Sequence, residues 1–141
     1  MKVSEIMRTV LVTVTMDHTI EHARKIMKMK HIRHLLVVDG SKLVGIVTDR
    51  DVRSHVSPRV GTPIESTSDK ATLESKLHQV MTRDLITVSP DTPVSEAARL
   101  ILEHKIGCLP VIDRNGFTIG IITDADLLRC LAKEAKAEEN K

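Results

Sequence analysis

The chain has 141 residues, and its 21 Lys and Arg nearly balance 19 Asp and Glu for a net charge of +2, which gives no electrostatic basis for DNA or an anionic membrane as main partner. Hydrophobic residues make up 41% with one Phe and no Trp or Tyr, so the core is aliphatic and the aromatic stacking surface of a single-stranded nucleic-acid binder is missing. No apolar run reaches the roughly 18 residues that cross a bilayer, Met1–Glu5 is unlike a signal peptide, and the widely spaced Cys108 and Cys130 read as reduced thiols of a cytoplasmic protein.

In chain order, residues 3–7 read as a short helical turn and Leu11-Val12-Thr13-Val14 as a strand. Thr19 is placed to cap a helix in which Ile20, Ala23, Ile26 and Met27 recur at helical spacing. Leu35–Val38 reads as a buried strand, Asp39-Gly40-Ser41-Lys42 as a hairpin turn, and Leu43–Val47 as the returning strand. A second helix opens at Asp49. Residues 57–75, with Pro58, Gly61, Pro63 and Ser66-Thr67-Ser68, read as a linker.

The pattern then returns. Met7 falls on Met81, Leu11–Val14 on Leu85-Ile86-Thr87-Val88, Ala23 on Ala97, Leu35 on Leu109 and Asp39 on Asp113. After one inserted residue, Gly45, Thr48, Asp49 and Asp51 fall on Gly120, Thr123, Asp124 and Asp126. Thr92 is the expected cap of the repeated helix, with Pro93 at its first position. The chain thus reads as an internal repeat of β-α-β-β-α units, 1–56 and 76–134, with a linker at 57–75 and a charged tail at 135–141. One unit alone buries little. Two units packed sheet to sheet around a pseudo-twofold would share a core and face a central cleft.

Both copies end in Gly-h-h-Thr-x-x-Asp at a strand-to-helix turn. One chemistry for this pattern is a capping box, in which the third helical residue reaches back to the cap. The other is ligand binding, since a carboxylate accepts hydrogen bonds from ribose hydroxyls and free helix N–H groups attract phosphate. The seven His are scattered. His18 and His22 stand four apart, but His18 precedes the helix, so no metal site is expected. No nucleophile–base pair stands out, so the chain reads as non-catalytic.

Val80-Met81-Thr82, Ser95-Glu96-Ala97, Leu109-Pro110-Val111-Ile112-Asp113 and Gly120-Ile121-Ile122-Thr123-Asp124-Ala125-Asp126, with their counterparts in the first repeat, resemble a tandem pair of cystathionine-β-synthase (CBS) domains, the Bateman module. The resemblance implies an α/β (α+β) fold of two stacked repeats, a disc-like homodimer, and regulatory binding of an adenosine compound: AMP, ADP, ATP or S-adenosylmethionine. It implies that Thr48 with Asp51, and Thr123 with Asp126, contact ribose, and that Thr13-Val14 and Thr87-Val88 border adenine. The position three before the family's proline points at phosphate. That proline is Pro110 in repeat two, where the position is Gly107; Leu36 replaces it in repeat one, where the position is Arg33. Arg50 is a further phosphate candidate, with Arg8 and Arg83 near the strand entries behind it. One Arg at the phosphate position favours AMP over ATP. An effector protein would read the signal. The alternative is a constitutive homodimeric scaffold without ligand, in which the Thr-Asp pairs are only caps.

Overall fold

A computed structural model describes residues 1–140. Among them the chain forms β1 (Thr13–Thr15), α1 (Ile20–Lys30), β2 (His34–Asp39), β3 (Lys42–Thr48), α2 (Asp49–His55), α3 (Thr67–Ala71), α4 (Val94–His104), β4 (Cys108–Ile112), β5 (Thr118–Thr123) and α5 (Asp124–Glu139). The fold is mixed α/β, with a three-stranded sheet β1-β2-β3 and a two-stranded sheet β4-β5. No helix among the described residues is long and apolar enough to cross a membrane.

The chain divides into two compact units. The first is Val12–Leu85; the second joins Met1–Leu11 to the chain from Ile86 onward. These units are out of phase with the sequence repeats, because the segment that leads into each repeat packs in the unit of the other. Leu77, at the start of repeat two, is fully buried in the first unit's core with Val14, Leu35, Val37 and Val47. Val3, at the start of repeat one, is fully buried in the second with Leu109, Val111 and Ile122.

Glycine makes this packing possible. Thr82 exchanges backbone hydrogen bonds with Ile46 (2.9 and 3.1 Å), and Arg8 does the same with Ile121 (2.9 and 3.0 Å). A Cβ at Gly45 would lie 2.7 Å from Met81 Sδ, and one at Gly120 would lie 2.5 Å from Met7 Sδ. The leading backbone therefore approaches only where no side chain stands.

In the first unit β1 runs parallel to β2, with Val14 opposite Val37, and β2 runs antiparallel to β3. Thr19 caps α1 by accepting the His22 N–H at 3.2 Å. Both α1 and α4 end on a non-glycine residue in the left-handed region, His31 (φ 53°) and Lys105 (φ 54°). Each closes its helix with a backbone N–H to the carbonyl four residues back.

Three sequence expectations are corrected. Leu85–Val88 is no strand; it keeps a single bridge, Val88 with Val111. The cause is Pro110. At the equivalent place Leu36 donates its N–H to Val12 O at 3.3 Å, whereas proline has no N–H, and Val88 is left to bond Pro110 O and the Ile112 N–H. Thr92 does not cap α4: the cap position is Pro93, with no side-chain bond, while Thr92 Oγ1 accepts from the Ser89 N–H at 3.0 Å. The linker holds a helix, α3, which starts at a Ser66–Asp69 capping box and is tied back by Ser57 Oγ donating to Asp69 Oδ1 at 2.7 Å.

Candidate functional site

The two strand-to-helix turns are built by the same local chemistry. Thr48 is extended (φ −105°, ψ 164°), so its hydroxyl turns back over the first turn of α2. Thr48 Oγ1 accepts the Asp51 N–H at 3.1 Å, and Asp51 Oδ2 accepts the Thr48 N–H at 2.9 Å. Thr123 does the same for α5. Its Oγ1 accepts the Asp126 N–H at 3.3 Å, and Asp126 Oδ2 accepts the Thr123 N–H at 2.9 Å and hydroxyl at 3.0 Å. Both Thr-x-x-Asp copies are capping boxes.

The other carboxylate oxygen separates them. Asp126 Oδ1 accepts from Arg8 Nε at 3.1 Å and from Arg129 Nη2 at 2.5 Å, and Asp126 is only 7% exposed. Arg8 arrives on the leading segment that pairs with Ile121. The equivalent residue facing Ile46 is Thr82, and the equivalent of Arg129 is Ser54, so no guanidinium reaches Asp51. Asp51 stays half-buried, and its Oδ1 has no partner among the described residues. Burial works against ionising Asp126, but the Thr123 N–H, Arg129, the Thr123 hydroxyl and Arg8 together outweigh it and hold its carboxyl below the ordinary 3.8.

The remaining expected residues fall as follows. Thr13 is exposed and Val14 buried on β1; Thr87 is exposed, while Val88 and Pro110 are buried. Arg33 and Arg50 are exposed, without an ion-pair partner among the described residues. The Arg33 carbonyl accepts the Asp49 N–H at 2.9 Å, and its residue lines a cavity of about 530 Å³ that includes neither Thr48 nor Asp51. Arg53, not Arg50, pairs with Asp49, at 3.7 Å. Arg83 Nη2 donates to His78 O at 2.8 Å.

No group of three or more His, Cys, Asp or Glu that could hold a metal occurs among the described residues. His18 accepts the Thr15 N–H on Nδ1 at 2.9 Å and stacks on His22. Cys108 is buried, and burial first, then the Asp124 charge, pushes its thiol up to about 12. At neutral pH it carries no thiolate to act as a nucleophile.

The Arg8–Asp126–Arg129 cluster went unread in the sequence. Arg129 stands three after Asp126, a helical contact spacing, and was legible in principle. Arg8 lies 118 residues away, beyond any periodicity.

Comparison with known proteins sets these turns in a family. A CBS domain-containing protein of Dictyostelium discoideum is 37% identical over 93% of this chain and 91% of its own length. A homoserine O-acetyltransferase of Methanohalobium evestigatum is 33% identical over 92% of this chain, which spans only 24% of that enzyme. Among solved structures, the CBS domain pair of protein MJ0100 in complex with 5′-methylthioadenosine and S-adenosyl-L-methionine superposes with a TM-score of 0.78 at 27% identity, covering 95% of this chain and 98% of that one. CBSX2 in complex with AMP gives 0.76 at 28%, with 95% and 98% covered. The CBS domain profile matches residues 3–58 and 77–133, and the chain therefore belongs to the CBS domain family as a tandem pair.

Proposed function

We propose that the chain is a non-catalytic regulatory module that binds an adenosine nucleotide and passes its occupancy to an effector protein. The structures named above hold AMP in one case and S-adenosylmethionine with methylthioadenosine in the other, and these ligands share adenosine. The observation that carries the reading is the unpaired Asp51 Oδ1 beside Thr48, since a ribose offers two hydroxyl donors to such an acceptor. Thr13 and Val14 border the adenine, and Arg33 and Arg50 supply cation to phosphate. With one Arg at the phosphate position, AMP is the favoured ligand, ahead of ADP, ATP and S-adenosylmethionine. Thr87, Val88, Pro110, Thr123 and Asp126 form the matching set in the second unit. There Asp126 is already held by two guanidinium groups, so the Asp51 turn fills first.

The test is a thermal melt with each of the four compounds. AMP at about 100 times its Kd adds roughly 2.7 kcal/mol to the folded state, a shift of several degrees at this size. Asp51→Asn, which keeps the shape of the cap, should abolish the shift, and Asp126→Asn should leave most of it. No shift with any compound would overturn the nucleotide reading.

The second reading is a ligand-free homodimeric scaffold. It is favoured by the role both Thr-x-x-Asp pairs have as helix caps and by Leu102, Leu128 and Leu131 on α4 and α5, which are 78%, 66% and 61% exposed. Both readings assign a homodimer. Light scattering should give twice the chain mass, reduced to one by Leu128→Glu with Leu131→Glu; a wild-type monomer would remove the homodimer from both. The free thiols of Cys108 and Cys130 support a reducing, cytoplasmic setting.

A further inference from the structure

We propose that the first unit carries a second ligand site, between α1 and α2, for a small molecule that joins an apolar body to a phosphate-type anion. The site is the cavity of about 530 Å³ that Arg33 lines, a size within the range of small-molecule pockets. It stands apart from the Asp51 turn. Asp49, Val52 and Arg53 line it from α2 and recur at i, i+3 and i+4, which sets them on one face. At about 100° per residue Asp51 lies roughly 150° round the helix from them. Arg24, Met27 and Lys28 line it from α1 at the same spacing. Arg33 is the one residue it shares with the proposed nucleotide site.

Its chemistry is two-sided. Met27 and Val52, 7% and 4% exposed, give an apolar floor that continues through Ile32 and Val56. Above it stand four cations: Arg24, Lys28, Arg33 and Arg53. The only carboxylate in the wall is Asp49, 3.7 Å from Arg53. Arg24, Lys28 and Arg33 have no carboxylate partner among the described residues. Cations gathered without counter-charge repel one another, and an anion that enters relieves that repulsion while gaining bidentate guanidinium contacts. A bare inorganic anion would leave the apolar floor unused, whereas an amphipathic one covers both.

One wall gives the site a readout. Val56, Ser57, Pro58 and Val60 line the cavity where the chain enters the linker. That stretch is fixed by the Ser57 N–H donating to Thr72 Oγ1 at 3.0 Å and by Ser57 Oγ donating to Asp69. An occupant would therefore rest on the linker as well as on both helices.

The probe is 1-naphthyl phosphate, with the uncharged 1-naphthalenemethanol as control, titrated by calorimetry against the full chain. Saturable binding of the phosphate is expected, at least tenfold tighter than the alcohol and weakened at high salt. Arg24→Gln with Arg53→Gln, both on exposed side chains, should weaken it at least tenfold with an unchanged melting temperature and unchanged AMP binding. Asp51→Asn should leave it within twofold. The site is overturned if the phosphate does not bind, if the alcohol binds as well, if the double Gln variant binds normally, or if Asp51→Asn removes binding. Failure of AMP to bind leaves all four of those readings intact and counts only against the nucleotide reading.

Discussion

Gly120→Ala is expected to lower stability by about 2 kcal/mol, roughly 5–10 °C in melting temperature for a chain of this size. The added Cβ would lie 2.5 Å from Met7 Sδ, 3.0 Å from Met7 Cγ and 3.1 Å from Arg8 O. The methionine end can swing away, but the Arg8 carbonyl is backbone, held by its bond to the Ile121 N–H at 3.0 Å. Overpacking of this kind costs about 1–3 kcal/mol, and loss of the two Arg8–Ile121 bonds about 1 kcal/mol each. Alanine narrows the unfolded ensemble and returns about 0.4–1 kcal/mol, which leaves a clear net loss. The check is a double-mutant cycle with Met7→Ala. A contact between the two residues predicts a favourable coupling of about 1 kcal/mol. A Gly120→Ala melt within half a kcal/mol of wild type would refute the close approach; additivity with Met7→Ala would assign the whole cost to the Arg8 carbonyl.

Asp126→Asn is expected to cost about 1–2 kcal/mol at pH 7, against a few tenths for Asp51→Asn. Asparagine keeps an oxygen for the Thr123 N–H but gives up both guanidinium partners. Arg8 and Arg129 are half exposed and regain water, which holds the loss well below that of a fully buried pair. The pH dependence follows from the depressed carboxyl. Because the folded group titrates below 3.8, its contribution is fully present above that value and is lost as pH falls through the folded pKa. The stability gap between wild type and Asp126→Asn should therefore be flat from pH 7 to about 5 and shrink towards zero below about 4. Asp69 and Glu96 are also held low, by the Ser66 N–H and by Arg99 respectively, but they are common to both proteins and cancel in the difference. A gap that persists to pH 2 would mean that shape, not charge, sets the role of Asp126.

The elements that the sequence made legible are those with local causes. The helices α1 and α4, the β2–β3 hairpin and the two Thr-x-x-Asp turns each rest on residues within one or two turns of one another. The doubled Gly-h-h-Thr-x-x-Asp text carried the family as well. The errors have single-residue causes. Leu85–Val88 has the composition of a strand, but a strand needs a partner that donates, and Pro110 cannot. Thr92 has the identity of a cap, but its hydroxyl is taken by Ser89. The asymmetry between Asp51 and Asp126 lay outside periodic reasoning, because Arg8 and Thr82 differ on segments far from the turns they meet.

The exchange of leading segments also orders the folding of the chain in time. The first unit is complete once Thr82 meets Ile46, whereas the second waits for Arg8 to meet Ile121 near the far end. The longer loop is about threefold larger and costs roughly 1 kcal/mol more to close. On a ribosome, residues 1–11 emerge ahead of Val12–Leu85 yet are used after it, since Val12–Leu85 already holds its whole apolar cluster. The first unit is thus the early-forming half, and the half that carries Arg8 and Asp126 is the late one, governed by long-range closure.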